Sequence, residues 1–377
     1  MDKLFKWLAK QDKLRAVSPL WLKKIVKGSS GIYRYNLQHW AAENPYSGTP
    51  DEWKYQAKSE TKIGIVGTIS QIHRHYLSAC HEMGISYEVY NLYQDDWITQ
   101  FIESDCKLFM VWPEMNTSLW KQIFDERIHI LVNFLGKKIY PDIPGIWIYE
   151  SKRRTRDWLL THHIEHPQTW VFTDENEANQ FASKCSLPVV FKTNTGAGAN
   201  GVMIIKKRAE LKNLIHRCFE TGLIVERGDP RDRQWGCVIL QEYLPDVKEW
   251  RMVRIGDSYF CRFKEKSGEF HSGSGTVSWA QPPQILLDRL RTITDENGFT
   301  SMNIDFFETT DGRYLVNEMH TVFGGIIDKN VKRNEAHMGR FKFDSSRNVW
   351  SFESGYFYQN ACANLRIEYA LNHIGDL

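Results

Sequence analysis

The chain has 377 residues, enough for two or three domains with ample core. Hydrophobic residues make up 42% and charged residues 25%, the balance of a soluble globular protein. A formal charge of +2 argues against nucleic acid as a partner, and no apolar run approaches the roughly 20 residues of a membrane span. Seven cysteines without C-x-x-C or zinc spacing read as reduced thiols, which points to the cytoplasm.

Residues 1–60 read as a basic, helical N-terminal extension. Residues 1–27 carry eight Lys/Arg against two Asp, and Leu4, Trp7 and Leu8 recur at helical spacing. Charges interrupt every apolar run, so this is no signal peptide. Such a helix commonly packs its apolar side on its own protein; peripheral contact with an anionic membrane is the alternative. The polar stretch 43–53 reads as a linker. From Lys62, strands alternate with helices: KIGIVG, a helix closed by Gly84, SYEVYNL, CKLFMVWP, the helix SLWKQIFDERI, then HILVNF (129–134) as a further strand. That alternation predicts a parallel, doubly wound sheet over residues 61–150, with a ligand crevice at its strand ends. A helix begins near Ser151. It is followed by TWVFTD, the helix ENEANQFASKC, LPVVFK and a glycine loop.

The loop VVFKTNTGAGANGVMII (189–205) holds Gly196, Gly198 and Gly201 as G-x-G-x-x-G. A dinucleotide fold needs a helix after the glycines, but Val202–Ile205 reads as a strand. A P-loop needs Gly-Lys-Ser/Thr, and Gly201 is followed by Val202. A kinase loop precedes its lysine, whereas Lys192 comes first here. What remains is a hairpin lid whose amides cover phosphates, with a lysine on the entering strand. A ligand-free glycine hairpin is the alternative. The strand CVILQEYL, two strands around a Gly-Asp turn (EWRMVRIGDSYFCRFKEK) and the helix PQILLDRLRTITDENG complete this region.

SMNIDFFETTDGRYLVNEM reads as a hairpin. With Asp311-Gly312 at the two turn positions, Asp305 faces Glu318 and Asn303 faces His320, all on one face of the ribbon. Opposed carboxylates repel. Either a cation such as Mg²⁺ or Mn²⁺ sits between them, or one pairs with a nearby Arg or Lys. His320 is a third ligand, a hydrogen-bond partner or a structural histidine.

In this order, the parts resemble the ATP-grasp superfamily, which includes glutathione synthetase and D-alanine–D-alanine ligase. The likeness covers about residues 61–325. It implies an α/β chain in which a parallel-sheet, Rossmann-like pre-ATP-grasp domain (61–150) precedes a two-subdomain ATP-grasp fold with antiparallel sheets (151–325, its lid about 170–240). A C-terminal extension (326–377) follows. By the resemblance, Lys152 and Lys192 are the nucleotide lysines and Gly196, Gly198 and Gly201 the phosphate lid. Gln241, Glu242, Tyr243 and Leu244 form the adenine-reading segment, and Glu249 binds the ribose hydroxyls. Arg262, with Lys264 on the same strand, stands near the γ-phosphate. Asp305 and Glu318 bridge the metal, with His320 as third ligand.

Three departures stand out. The family's last motif is usually Glu-x-Asn, and here it is Glu318-Met319-His320. The arginine that meets the acyl phosphate is replaced by His271 and the glycines after it. The arginine often found two residues before the first metal acid is Asn303. The resemblance implies ATP with Mg²⁺ (Mn²⁺ the alternative) and a ligase that joins a carboxylate to an amine through an acylphosphate, releasing ADP and phosphate. Its partners would be small-molecule or polymer-precursor carboxylates and amines. The alternatives are phosphoryl transfer to an alcohol acceptor, and a nucleotide-binding regulatory or scaffold protein. The basic tail, with His337, Lys342 and Arg347, suits an anionic or polymeric acceptor, or is simply a solvated loop.

Overall fold

The computed structural model describes residues 53–58, 61–113, 117–196, 201–224, 232–264, 277–278, 280–323 and 338–375. The N-terminal stretch 1–52, Gly198 and His271 lie outside these. The described residues form two compact units. The smaller comprises 117–121 and 168–243, and the larger comprises 53–113, 122–167 and 244–375.

The larger unit opens with β1 (Lys54–Tyr55), β2 (Lys62–Val66), α1 (Arg74–Met83), β3 (Ser86–Tyr90), α2 (Trp97–Glu103) and β4 (Leu108–Met110). After these come α3 (Ser118–Asn133, its first turn in the smaller unit), β5 (Lys138–Tyr140), α4 (Ile143–Ile148) and α5 (Lys152–Thr161). The sheet order is β1-β3-β2-β4-β5, with β2 to β5 parallel and β1 antiparallel at the edge. Ile63, Ile65 and Val66 are fully buried, as helix-covered parallel strands require. The sequence reading of 129–134 as a strand is corrected here. Phe124, Ile128 and Leu131 are buried at helical spacing and carry α3 through to Asn133, so the strand comes later, at Lys138.

The smaller unit holds β6 (Thr169–Phe172), α6 (Glu175–Lys184), β7 (Val189–Lys192), β8 (Val202–Ile205), α7 (Arg208–Glu220), β9 (Leu223–Ile224), β10 (Arg233–Gln234) and β11 (Val238–Glu242). β6-β11-β7-β8 form an antiparallel sheet. Ala178 and Ala182 of α6 and Leu211, Leu214 and Ile215 of α7 pack against Val189, Phe191 and Leu240. Asp174 caps α6, its side chain accepting from the Glu177 amide at 2.8 Å.

The chain returns to the larger unit as β12 (Lys248–Ile255), β13 (Ser258–Lys264), β14 (Val277–Ser278), α8 (Gln284–Glu296), β15 (Ser301–Glu308), β16 (Tyr314–His320), β17 (Gly339–Asp344) and β18 (Val349–Ser354). A 3-10 turn (Gln359–Cys362) and α9 (Ala363–Asn372) end it. The second sheet runs β16-β15-β12-β13-β17-β18, antiparallel, with β14 beside β13. One face packs on α8, where Leu286, Leu287, Leu290 and Ile293 meet Met252, Ile304 and Met319. Side chains alternate along strands, so the opposite face carries Glu249, Arg251, Asn303, Asp305, Glu318 and His320.

The hairpin pairs Asp305 with Glu318 and Asn303 with His320, as the sequence predicts, but the turn differs. Thr309 pairs with Arg313 across a three-residue loop, with Gly312 at φ 83°. That loop shifts the register by one. A bulge at Asn317 shifts it back, so Val316 and Met319 both face the core.

The C-terminal residues integrate into this unit. β17 and β18 extend the second sheet. Ala363, Ile367 and Ala370 of α9 share a core with Ile63, Tyr76, Ala79 and Trp112 of the first module. Lys342 and Arg347 lie on the β17–β18 hairpin, 3.5 Å from Glu353 and 3.8 Å from Asp344 respectively. Among the described residues no helix is long and apolar enough to cross a membrane.

Candidate active site

The register of the second sheet brings the site side chains into opposed rows. Glu249 lies opposite Lys264, Arg251 opposite both Arg262 and Asp305, Asp305 opposite Glu318, and Asn303 opposite His320. Three carboxylates and three cations thus share one polar face above an apolar one. The signal in the sequence is alternation. Glu249 and Arg251 are the odd members of a strand whose even members, Trp250 and Met252, are core.

Asp305 is fully buried and neutralised by protein cations. Arg251 donates from Nε and Nη2 to its two oxygens, both at 2.9 Å, and Lys264 Nζ lies 2.5 Å from Oδ2. Burial alone would raise the Asp305 carboxyl, but the Arg251 and Lys264 charges hold it well below the usual range. Lys264 also donates to Glu249, the expected ribose ligand, whose carboxyl burial pushes up against the pull of that lysine. Arg251 carries no role in the sequence reading, although the quoted EWR contains it.

Glu318 and His320 form a second cluster, with Nε2 and Oε2 3.4 Å apart, and the Tyr149 ring meets His320 edge-on at 5.7 Å. Burial opposes ionisation of Glu318. The His320 contact and the charges of Lys152 and Lys264 overcome it and hold the carboxyl well below its ordinary value. Lys152 is the first residue of α5, and Ser151 is its N-cap. Among the adjacent basic residues, Arg154 pairs instead with Asp125. Asn303, the residue opposite His320, has its Nδ2 3.4 Å from Asp305 Oδ1, while its own Oδ1 is buried with no hydrogen-bond partner among the described residues. The ligand atoms of Asp305, Glu318 and His320 do not gather as a trio. Among the described residues only Glu175, His216 and Glu220 bring three such atoms within 4.8 Å of one another.

Arg262 is 3% exposed, and burial lowers its guanidinium pKa. It stacks on Tyr358, 4.6 Å from the ring centre. Tyr358 lies next to the 3-10 turn, where Asn360, Ala361 and Cys362 are all left-handed, at φ 48°, 54° and 64°. Buried Arg366 secures that turn by donating to the Ala361 carbonyl at 2.8 Å.

In the smaller unit, Lys192 ends β7 and is 7% exposed. The neck of the glycine loop closes through the Thr193 amide, which donates to the Gly201 carbonyl at 2.9 Å. Gly201 has φ 74°, and a Cβ there would lie 2.0 Å from Thr193 Oγ1, so only glycine fits. Gly196 has φ 143°. Gln241 donates to Thr169 Oγ1 at 3.0 Å, and Glu242 accepts from the Gln168 amide at 2.7 Å. The chain passes between the units after Tyr243, with Leu244 the first residue on the other side.

Residues 150–321 match the RimK-like ATP-grasp domain. The fold is that of the ATP-grasp superfamily. The matched ATP-grasp residues run from the start of α5 to the end of β16, so they take in every site residue that the sequence predicts and leave out Tyr149, Tyr358 and Arg366. D-alanine–D-alanine ligase from Bacillus anthracis superposes with a TM-score of 0.53 at 14% identity, covering 84% of this chain and 99% of that one. The RimK domain protein ATP-grasp from Sphaerobacter thermophilus does so at 0.50 and 14%, covering 81% and 98%. Alpha-aminoadipate–LysW ligase LysX of Sulfurisphaera tokodaii is 27% identical over 180 residues, 46% of this chain and 59% of that relative. The chain therefore spans less than two thirds of that curated relative's length.

Proposed function

We propose that this ATP-grasp protein is an ADP-forming ligase that joins a carboxylate to an amine through an acylphosphate. The observation that carries the reading is the mixed-charge face of the second sheet, lying within the matched ATP-grasp region. Three cations (Arg251, Arg262, Lys264) and Lys152 at its edge can neutralise phosphates, and Glu318 is held ionised beside them.

The donor set suits a hard divalent cation. Asp305 and Glu318 offer carboxylate oxygens, and the buried Asn303 Oδ1 is an amide oxygen that lacks a partner among the described residues. This amide stands directly across the hairpin from His320, where relatives usually carry their asparagine, so Asn303 supplies the missing oxygen from the opposite strand. Mg²⁺, when bound, would neutralise the β- and γ-phosphoryl oxygens. Asp305, Glu318 and Asn303 would hold it, with His320 orienting Glu318.

The remaining work belongs to the chain itself. Lys152 at the head of α5 and Lys192 at the end of β7 are the cations that the resemblance assigns to the inner phosphates. Attack by the substrate carboxylate on the γ-phosphorus moves negative charge onto the transferring group and the leaving ADP, where Arg262 and Lys264 meet it. The amine then attacks the acyl carbon, a C–N bond forms as the C–O bond to phosphate breaks, and the amine proton leaves with solvent. Glu242 and Gln241 are held by Gln168 and Thr169, which fixes the backbone of the adenine-reading segment.

Incubation with ATP, Mg²⁺, candidate carboxylates and hydroxylamine tests the reading. The expected result is carboxylate-dependent ADP release with an acylhydroxamate trapped. ADP release with phosphate on an alcohol, and no hydroxamate, would replace it with phosphoryl transfer.

A further inference from the structure

A cavity of about 180 Å³ opens at the carboxyl ends of β2 and β3, beside the N-terminus of α1. That is below the ~300–1,000 Å³ of drug-sized ligand sites, so the cavity suits a single small ring. It lies wholly within the larger unit. Among the described residues its walls carry no Asp, Glu, Lys or Arg: Trp53, Thr68, Gln71, His73, Asn91 and Tyr93 supply the aromatic and polar surface, and Leu77 and Val89 line the floor.

The polar groups are set in place. The Thr68 amide donates to His73 Nδ1 at 3.0 Å, which fixes the imidazole ring in the wall. Arg74 donates to Gln71 Oε1 at 3.3 Å, which turns the Gln71 NH₂ into the donating end. Asn91 accepts the Tyr93 amide at 2.9 Å through Oδ1. Gln71 holds φ 60°, a costly conformation for a non-glycine residue at a crevice of this kind.

We propose that this cavity binds a neutral hexopyranose, the uncharged part of the acceptor. The described wall residues themselves carry no charge to pair with a charged amino acid or free carboxylate, which favours an uncharged ligand. A sugar ring offers an apolar face for Trp53 and Tyr93 and hydroxyls for the side-chain amides of Gln71 and Asn91. The assignment of the sugar to the acceptor rests on the ligase reading; the binding itself does not. The helix that lines the cavity is tied to the candidate site. The His75 ring of α1 lies tilted against Trp112, over which Arg366 sits, and Arg366 donates to Ser301 Oγ of β15 at 3.2 Å.

Saturation-transfer NMR on the full chain without nucleotide tests this, with glucose, N-acetylglucosamine, glucuronate and glycine as probes. Ring-proton signals from the two neutral sugars and none from glycine are expected. Binding should weaken about tenfold in Trp53→Ala and in Gln71→Gly. Trp53 is 61% exposed and glycine suits the Gln71 backbone, so both variants keep the fold, which circular dichroism checks. No signal from the neutral sugars, recognition of glucuronate alone, or unchanged binding in both variants each overturns the proposal. Sugar binding without carboxylate-dependent ADP release or a trapped hydroxamate would sink the ligase reading and leave the cavity assignment standing. Hydroxamate formation without sugar binding would do the reverse.

Discussion

Asp305 illustrates how a single residue was half readable. Its place opposite Glu318 follows from the hairpin, and two opposed carboxylates call for a cation. The sequence did not say that the protein supplies one itself, because Arg251 meets Asp305 only through the pairing of β12 with β15, more than fifty residues apart. The ion pair reverses an otherwise natural expectation. Relieving like-charge repulsion by Asp305→Asn would stabilise an isolated hairpin. Here the change strands Arg251 and Lys264 in a buried place, so chemical denaturation is expected to show a loss of about 3 kcal/mol. A gain in stability would show that the repulsion dominates. His75 gives a pH signature. Burial and the Arg366 charge lower its pKa from 6.5 to about 3. The unfolded chain therefore binds a proton that the folded one refuses, and stability falls as pH drops below 6.5 toward 3, with no effect above 6.5. Between pH 6.5 and about 4.5, His75→Asn is expected to remove this contribution and leave the opposite slope of Asp142, whose carboxyl burial raises to about 6.

At the scale of elements, strands with clear alternation and helices with good stops were legible: β7, β8, β12, β13 and α8 stand where the pattern puts them. α3 was cut short because its apolar run Ile128–Val132 mimics a strand when taken alone, and only burial at helical spacing reveals its continuity. The hairpin is the sharper case. Its pairing was right although its turn was not, since a three-residue loop and the Asn317 bulge offset one another. Asn317 is therefore the extra residue of the strand. Deleting it straightens β16 and is expected to keep Asp305 opposite Glu318, Ile304 opposite Met319 and Asn303 opposite His320. ATP with Mg²⁺ should then still raise the melting temperature. Loss of that stabilisation would show that the bulge itself aims Glu318.

For the whole molecule, the parallel module and the antiparallel sheets were foreseeable from element order, whereas the place of the C-terminal residues was not. Their basic, turn-rich sequence reads as an appendage, yet α9 fills the core of the first module. Ile367 is fully buried there, and Ile367→Ala is expected to cost about 2–5 kcal/mol and to lower the stability of the parallel module measured by hydrogen exchange in β2 and β3. Exchange slowed or unchanged in those strands would mean that the module stands without α9.

That packing also sets a timetable. Asn360 and Asn364 donate to Glu82 across 278 and 282 residues of chain, and the α1–α9 contact closes only after both sheets of the larger unit and the whole smaller unit have been synthesised. Contacts so remote in sequence form slowly, and apolar surface waits exposed until they do. On the ribosome, the first module would emerge with Ile63, Tyr76 and Ala79 uncovered. The chain's dependence on chaperones should therefore be greatest early in its synthesis, when its most regular α/β segment is already made.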